Sequence, residues 1–175
     1  MAGLKDRIIR AAKLDVGLYE EVESDPAATG QAVGVVVLSS LAAGLGTISR
    51  GGLSGIAVAV VAALVTWFLW AYLTYFIGAK IIPEPQTNAS PGQMLRALGF
   101  ASSPGLIRVL GVIPGLTGFV FMAASVWMLV AMVIAVRQAL DYQSTWRAIG
   151  VCAIGWVVQI VVVAVLLYAS GFRPP

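Results

Sequence analysis

Arg96 and Arg108 stand twelve residues apart in a stretch, RALGFASSPGLIRVLGVIPGL, that otherwise reads as a membrane helix. An unbroken helix would place them about 18 Å apart along its axis, more than half of a roughly 30 Å hydrocarbon core. Both reach one surface only if the chain bends. Between them Pro104 removes a backbone donor and disfavours helix at Ser103, and Gly105 loosens the chain further. A half-helix ending near Ser102 and a second starting at Pro104, with Ser103 as its N-cap, would leave free N–H groups near Ser102 and Ser103 at membrane depth. Such an end attracts anions. Ser102, Ser103 and Arg108 are therefore candidates for an anion or lipid-headgroup site. The alternative is a proline kink whose freed carbonyls the serines satisfy, with Arg108 snorkelling to the far headgroups.

A second cluster of chemistry lies near the N-terminus. Tyr19, Glu20, Glu21 and Glu23 crowd an acidic segment running from Asp15 to Asp25, expected to be solvated or docked on a partner, and they form a candidate partner-binding segment. Enzymatic machinery is not expected. The chain has no histidine, and its one cysteine, Cys152, sits in an apolar run; zinc clusters, disulfides and histidine-based nucleophilic mechanisms drop out. Asp141 is the lone acid among the later spans, so no general acid/base pair forms there. Gln159, alone in the last apolar run, reads as a hydrogen bond between helices. No cofactor is implied.

These residues are carried by a membrane protein. Of 175 residues 59% are hydrophobic and 11% charged, with a mean hydropathy of +0.92, outside the range of a water-soluble domain. The composition predicts an all-α, polytopic helical bundle, with residues 1–25 a cytoplasmic segment and 26–175 the transmembrane domain. No apolar core precedes a cleavage site in the first 26 residues, so a removed signal peptide is not expected. Leu4, Ile8, Ala11 and Ala12 recur at helical spacing, leaving Lys5, Arg7, Arg10 and Lys13 on the remaining surface, which predicts an interfacial helix on anionic lipid.

Ser24-Asp25-Pro26 opens a first span, 27–48, in which Gly30 and Gly34, then Ala42 and Gly46, are spaced for close helix approach. The run 53–82 is long for one span and ends in aromatics and Lys80, an interfacial signature. Residues 83–92 form a polar loop whose Asn88-Ala89-Ser90 matches a glycosylation sequon on a face the topology places inside. Runs 117–136 and 146–170 follow, joined by RQALDYQSTWR, where Arg137 and Asp141 are spaced to pair.

With the N-terminus inside and the 96–116 stretch crossing, eight basic residues are cytoplasmic and three, Arg50, Arg108 and Arg173, lie toward the far side. A re-entrant 96–116 exchanges two arginines for two others and leaves the count at eight to three. Charge thus orients the N-terminus without choosing five spans over four and a hairpin.

The text LRALGFASSPGLIRVLGVIPGLTG, then Trp127, then AVRQALDYQSTWRAIGV resembles the membrane domain of the YIP family, the Ypt/Rab-interacting proteins. The positions that carry the likeness are Pro104, Pro114, Gly118, Trp127, Arg147 and Ala148. The resemblance implies five membrane helices with a broken third, the N-terminus cytoplasmic and the C-terminus on the far side. It implies a non-enzymatic scaffold or adaptor in membrane organisation or trafficking; a small transporter or lipid-binding protein using the broken helix is the alternative. The Asp-Leu-Tyr-Gly-Pro signature of the eukaryotic relatives, which are associated with Rab GTPases, is missing, Asp15-Val-Gly-Leu-Tyr19-Glu being the nearest text. The small size looks prokaryotic, placing the protein in a prokaryotic cell membrane. Membrane lipids, a protein held by the N-terminal segment and a second copy of the chain are the expected partners; nucleic acid is not.

Overall fold

The computed structural model describes residues 3–169, with side chains outside 48–55 and 163–169. Arg50 and Arg173, two of the three far-side arginines, fall outside what is described. Every regular element among the described residues is helical. Two short helices, α1 (Leu4–Ala12) and α2 (Val16–Ser24), precede the apolar run α3 (Ala28–Gly46). Asp25 holds the entry to α3 with its carboxylate accepting from the Ala27 N–H at 3.0 Å. α4 (Ile48–Phe76) continues into a π-helical turn, Ile77–Ile81. After the polar loop come α5 (Pro91–Phe100), a 3-10 helix (Ser103–Val112), α6 (Thr117–Ala139) and α7 (Thr145–Ala169).

Four of these segments are long and apolar enough to cross a membrane: Ala28–Gly46, Ile56–Ile81, Thr117–Ala139 and Thr145–Val162. Their outer faces suit hydrocarbon. Val58, Val61, Val65 and Leu69 recur every three or four residues on α4 and are each more than half exposed, as are Phe119, Met122 and Val126 on α6.

α1 and α2 do not lie apart from this bundle. Ala11, Leu18, Tyr19 and Val22 are fully buried in one core with Met94, Phe100, Ala135 and Leu140. The turn between them explains the fit. Leu14 takes a left-handed φ of 61°, and the Asp15 and Leu14 N–H groups return to the Arg10 and Ala11 carbonyls, each at 3.0 Å. This is a Schellman stop with leucine where glycine is usual, and it folds α2 back against α1. The two helices thus mark one end of the bundle, its proximal end.

α5 opens at a capping box in which Ser90 accepts from the Gln93 N–H and the Gln93 side chain accepts from the Ser90 N–H. The helix stops at Phe100, as the Ser-Ser-Pro-Gly text predicts. Its continuation differs from expectation: Ser103 is the first residue of a 3-10 helix rather than a cap, and no side chain caps that helix. The broken segment then runs alongside α3. A Cβ on Gly99 would meet Ala32 at 2.7 Å, one on Gly105 would meet the Ser39 hydroxyl, and one on Gly46 would meet the Arg108 carbonyl oxygen. The contacts step forward together, 99 with 32, 105 with 39 and 108 with 46, so the segment follows α3 from its proximal to its distal end.

Candidate functional site

Two constellations stand out, one at the proximal end and one at mid-depth. At the proximal end Arg7 is only 4% exposed. Its Nε donates to Glu21 at 3.0 Å, Nη1 to the Gln31 side-chain carbonyl at 3.0 Å and Nη2 to Asp25 at 2.9 Å. Arg10 donates to Asp15 at 2.7 Å and to the other Glu21 oxygen at 2.5 Å. Arg96, also buried, reaches from α5 to donate to the backbone carbonyls of Val22 and Glu23. The expectation that Arg7 and Arg10 face lipid is therefore corrected: Arg7 turns inward and Arg10 stays partly exposed, both paired with the partly exposed carboxylates of Asp15, Glu21 and Asp25 in place of lipid phosphates.

The same packing relocates the expected partner-binding residues. Tyr19 is fully buried with its hydroxyl directed at the Ala11 carbonyl, and Glu21 is spent on the arginines. Glu23 is half-buried, one of its oxygens enclosed without a hydrogen-bond donor among the described residues. Only Glu20 of the four is exposed, accepting from Gln138 of α6 at 2.7 Å. Arg137 caps its own helix end through the Tyr142 and Gln143 carbonyls instead of pairing with Asp141.

Burial, then the Asp141 and Glu20 carboxylates, push Glu23 up to about 7, with Arg96 opposing. Asp15 and Glu21 are held below the usual carboxylate range by Arg10 first, and Asp25 by Arg7. Since the folded Glu23 lies above a free glutamate, the docked α1–α2 pair binds a proton that the undocked pair releases. Docking is expected to tighten as the pH falls through about 7, and to weaken only at the lower pH where Asp15, Glu21 and Asp25 protonate. Hydrogen exchange in residues 4–24 should accordingly be slower near pH 6 than near pH 8 after correction for intrinsic rates. Glu23→Gln should flatten that difference; a profile unchanged by the substitution would refute the assignment.

At mid-depth the helices border an open-sided cavity of about 970 Å³. Ser102 and Arg108 line it, together with Ser40, Trp70, Met128 and Gln159. Ser103 does not line it: the side chain is 2% exposed with its hydroxyl unpaired among the described residues. Of the three anion-site candidates the structure thus brings two together on one cavity wall. The Arg108 guanidinium donates from Nη2 to Ser125 at 3.1 Å and sits 5.5 Å from the Phe121 ring centroid, while its Nε is buried without a partner. Trp70, 6% exposed, also has a buried indole N–H without an acceptor among the described residues. Sequence reading missed Trp70 and the place of Gln159; only the α4–α7 packing, with Trp70 against Gly155, brings them to the wall.

Over residues 18–167, nearly the whole of this helical assembly, the chain matches the Yip1 domain. The chain belongs to the Yip1 domain family. No curated protein and no solved structure matches it. The Yip1 domain begins at Leu18, inside α2, and so takes in Glu21, Arg96, the cavity and every long apolar helix, while α1 with Arg7 and Arg10 precedes it. The family resemblance drawn from Pro104, Pro114, Trp127 and Arg147 agrees with this membership.

Proposed function

We propose that this Yip1-domain protein is a non-enzymatic membrane scaffold or adaptor whose proximal end is cytoplasmic and presents α1 and α2 to a protein partner. The observation that carries the reading is the clamp. Arg7 and Arg96 fix the two helices to the bundle, while their outer face leaves Ile9, Val16, Lys5, Lys13 and Glu20 exposed. Ile9 and Val16 are 43% and 44% exposed. A rigid platform with two apolar side chains among charges suits a protein interface, because little ordering entropy is lost on binding. The partner segment is then Glu20 with Ile9 and Val16, and Tyr19, Glu21 and Glu23 support it from below.

The broken segment is proposed to cross, giving five spans with the C-terminus on the far side. Its march along α3 supports this, and so does its length. Ten α-helical and ten 3-10 residues rise about 35 Å if collinear, enough for a roughly 30 Å core. With Cys152 replaced by Ser, a cysteine at Gln86 and one at Gly115 should react with a membrane-impermeant maleimide from opposite sides; reaction from one side would restore the hairpin. For the adaptor role, Ile9→Ser with Val16→Ser should remove crosslinked partners at unchanged folded yield, whereas Leu69→Ser should not. Equal partner recovery from both variants would count against the platform.

A further inference from the structure

We propose that the mid-depth cavity holds one anionic phospholipid, its phosphate on Arg108. This inference goes beyond the adaptor reading and does not rest on it.

The depth of the polar groups is set by the helices. Ser40 lies twelve residues into α3 and Gln159 fourteen into α7, while Ser125, which receives Arg108, lies fourteen from the proximal end of α6. At 1.5 Å per residue these are about 18 to 21 Å from the proximal end. The same positions are about 9 to 12 Å from the distal ends of α3 and α6, so the guanidinium lies within the distal half of the bundle. It has no counterion: the eight acidic residues of the chain are 6, 15, 20, 21, 23, 25, 84 and 141, all outside the long apolar runs.

The one charged group on the wall only donates. The Arg108 guanidinium carries N–H donors, and its one hydrogen-bond partner among the described residues is the neutral Ser125 hydroxyl. Ser40 and Ser102 already donate to the carbonyls of Val37 and Leu98. A ligand that satisfies this wall must bring acceptors and negative charge, at a place where a charge without a partner is expensive. Around those points the wall is hydrocarbon, from Ala43, Ala63, Met128 and Met132. The volume, about 970 Å³, sits at the upper end of the roughly 300–1,000 Å³ of ligand pockets.

Trp156 and Ile160 of α7 and Ala59 and Ala62 of α4 line the cavity and are exposed, so it opens sideways to the bilayer. A phospholipid entering there places its phosphate on Arg108, offers an ester carbonyl to the Gln159 side chain and keeps its chains among apolar walls. A zwitterionic lipid brings its own ammonium to compete with Arg108, and inorganic phosphate leaves the apolar walls empty.

The test is native mass spectrometry of the full chain in mild detergent, titrated with phosphatidylglycerol, phosphatidylcholine or inorganic phosphate. One phosphatidylglycerol should be retained in preference to phosphatidylcholine. Arg108→Gln should weaken that retention about tenfold or more, with Arg108→Lys recovering part of it. Ala63→Phe, which fills the cavity and leaves the charge in place, should also expel the lipid, so the outcome does not depend on Arg108→Gln folding. Equal retention of the two lipids, retention unchanged in a folded Arg108→Gln or Ala63→Phe protein, or displacement of phosphatidylglycerol by inorganic phosphate would overturn the proposal.

Discussion

Replacing Gly46 by alanine is expected to destabilise the protein by about 3 kcal/mol, the upper end of what overpacking costs. A Cβ at Gly46 would collide with the Arg108 carbonyl oxygen and lie 3.1 Å from the Phe121 ring. The ring can turn, but the carbonyl is backbone and cannot. α3 and the 3-10 helix must therefore part, and with them goes the alignment that brings Arg108 to the cavity. Gly34→Ala is the control. Nothing lies within 4 Å of a Cβ there, so the substitution should be neutral, or stabilising by up to about 1 kcal/mol through helix propensity. Thermal unfolding in detergent separates the two; equal effects would show that the α3 contact is misassigned.

The second large effect is expected at Arg7. Breaking a buried ion pair by removing one partner costs roughly 3–5 kcal/mol, because the remaining charge is left uncompensated. Glu21 and Asp25 are 34% and 24% exposed, and Glu21 keeps Arg10, so Arg7→Ala should cost less, about 2–3 kcal/mol. The loss should be local. Hydrogen exchange in residues 4–24 should accelerate roughly 30- to 150-fold, while α6 and α7 stay protected. Lys13→Ala, at an exposed lysine of the same helix end, should change nothing. If Arg7→Ala instead altered only attachment to anionic vesicles, the lipid-facing α1 expected from its sequence would be restored.

These two positions also mark where sequence reading succeeds and stops. Hydropathy alone places the four long spans, because a bilayer demands some twenty apolar residues whatever the neighbours are. The change from α to 3-10 geometry between Phe100 and Ser103 is equally local, since Pro104 and Gly105 act on their own backbone. Gly30, Gly34 and Gly46, by contrast, look alike in the text. Only Gly46 receives a helix, because that choice depends on a segment more than sixty residues later. Arg7 reads as one of four surface cations on an amphipathic turn, and its partners at 21, 25 and 31 become visible only when the Leu14 turn folds α2 back. The Ser103 cap failed for a different reason: with Pro104 in place the chain tightens into 3-10 geometry, and the hydroxyl points into packing rather than to the helix end. Arg108 was legible as an oddity, but the cavity it lines was not, since its walls come from six segments.

The adaptor account is tested most directly by photo-crosslinking in cells, with a photoreactive residue at Val16, at Tyr19 or at Leu69 of the full chain. The account predicts a discrete protein adduct from Val16, intramolecular products from buried Tyr19 and lipid adducts from Leu69. Lipid adducts from Val16 matching those from Leu69, with no protein captured, would contradict it.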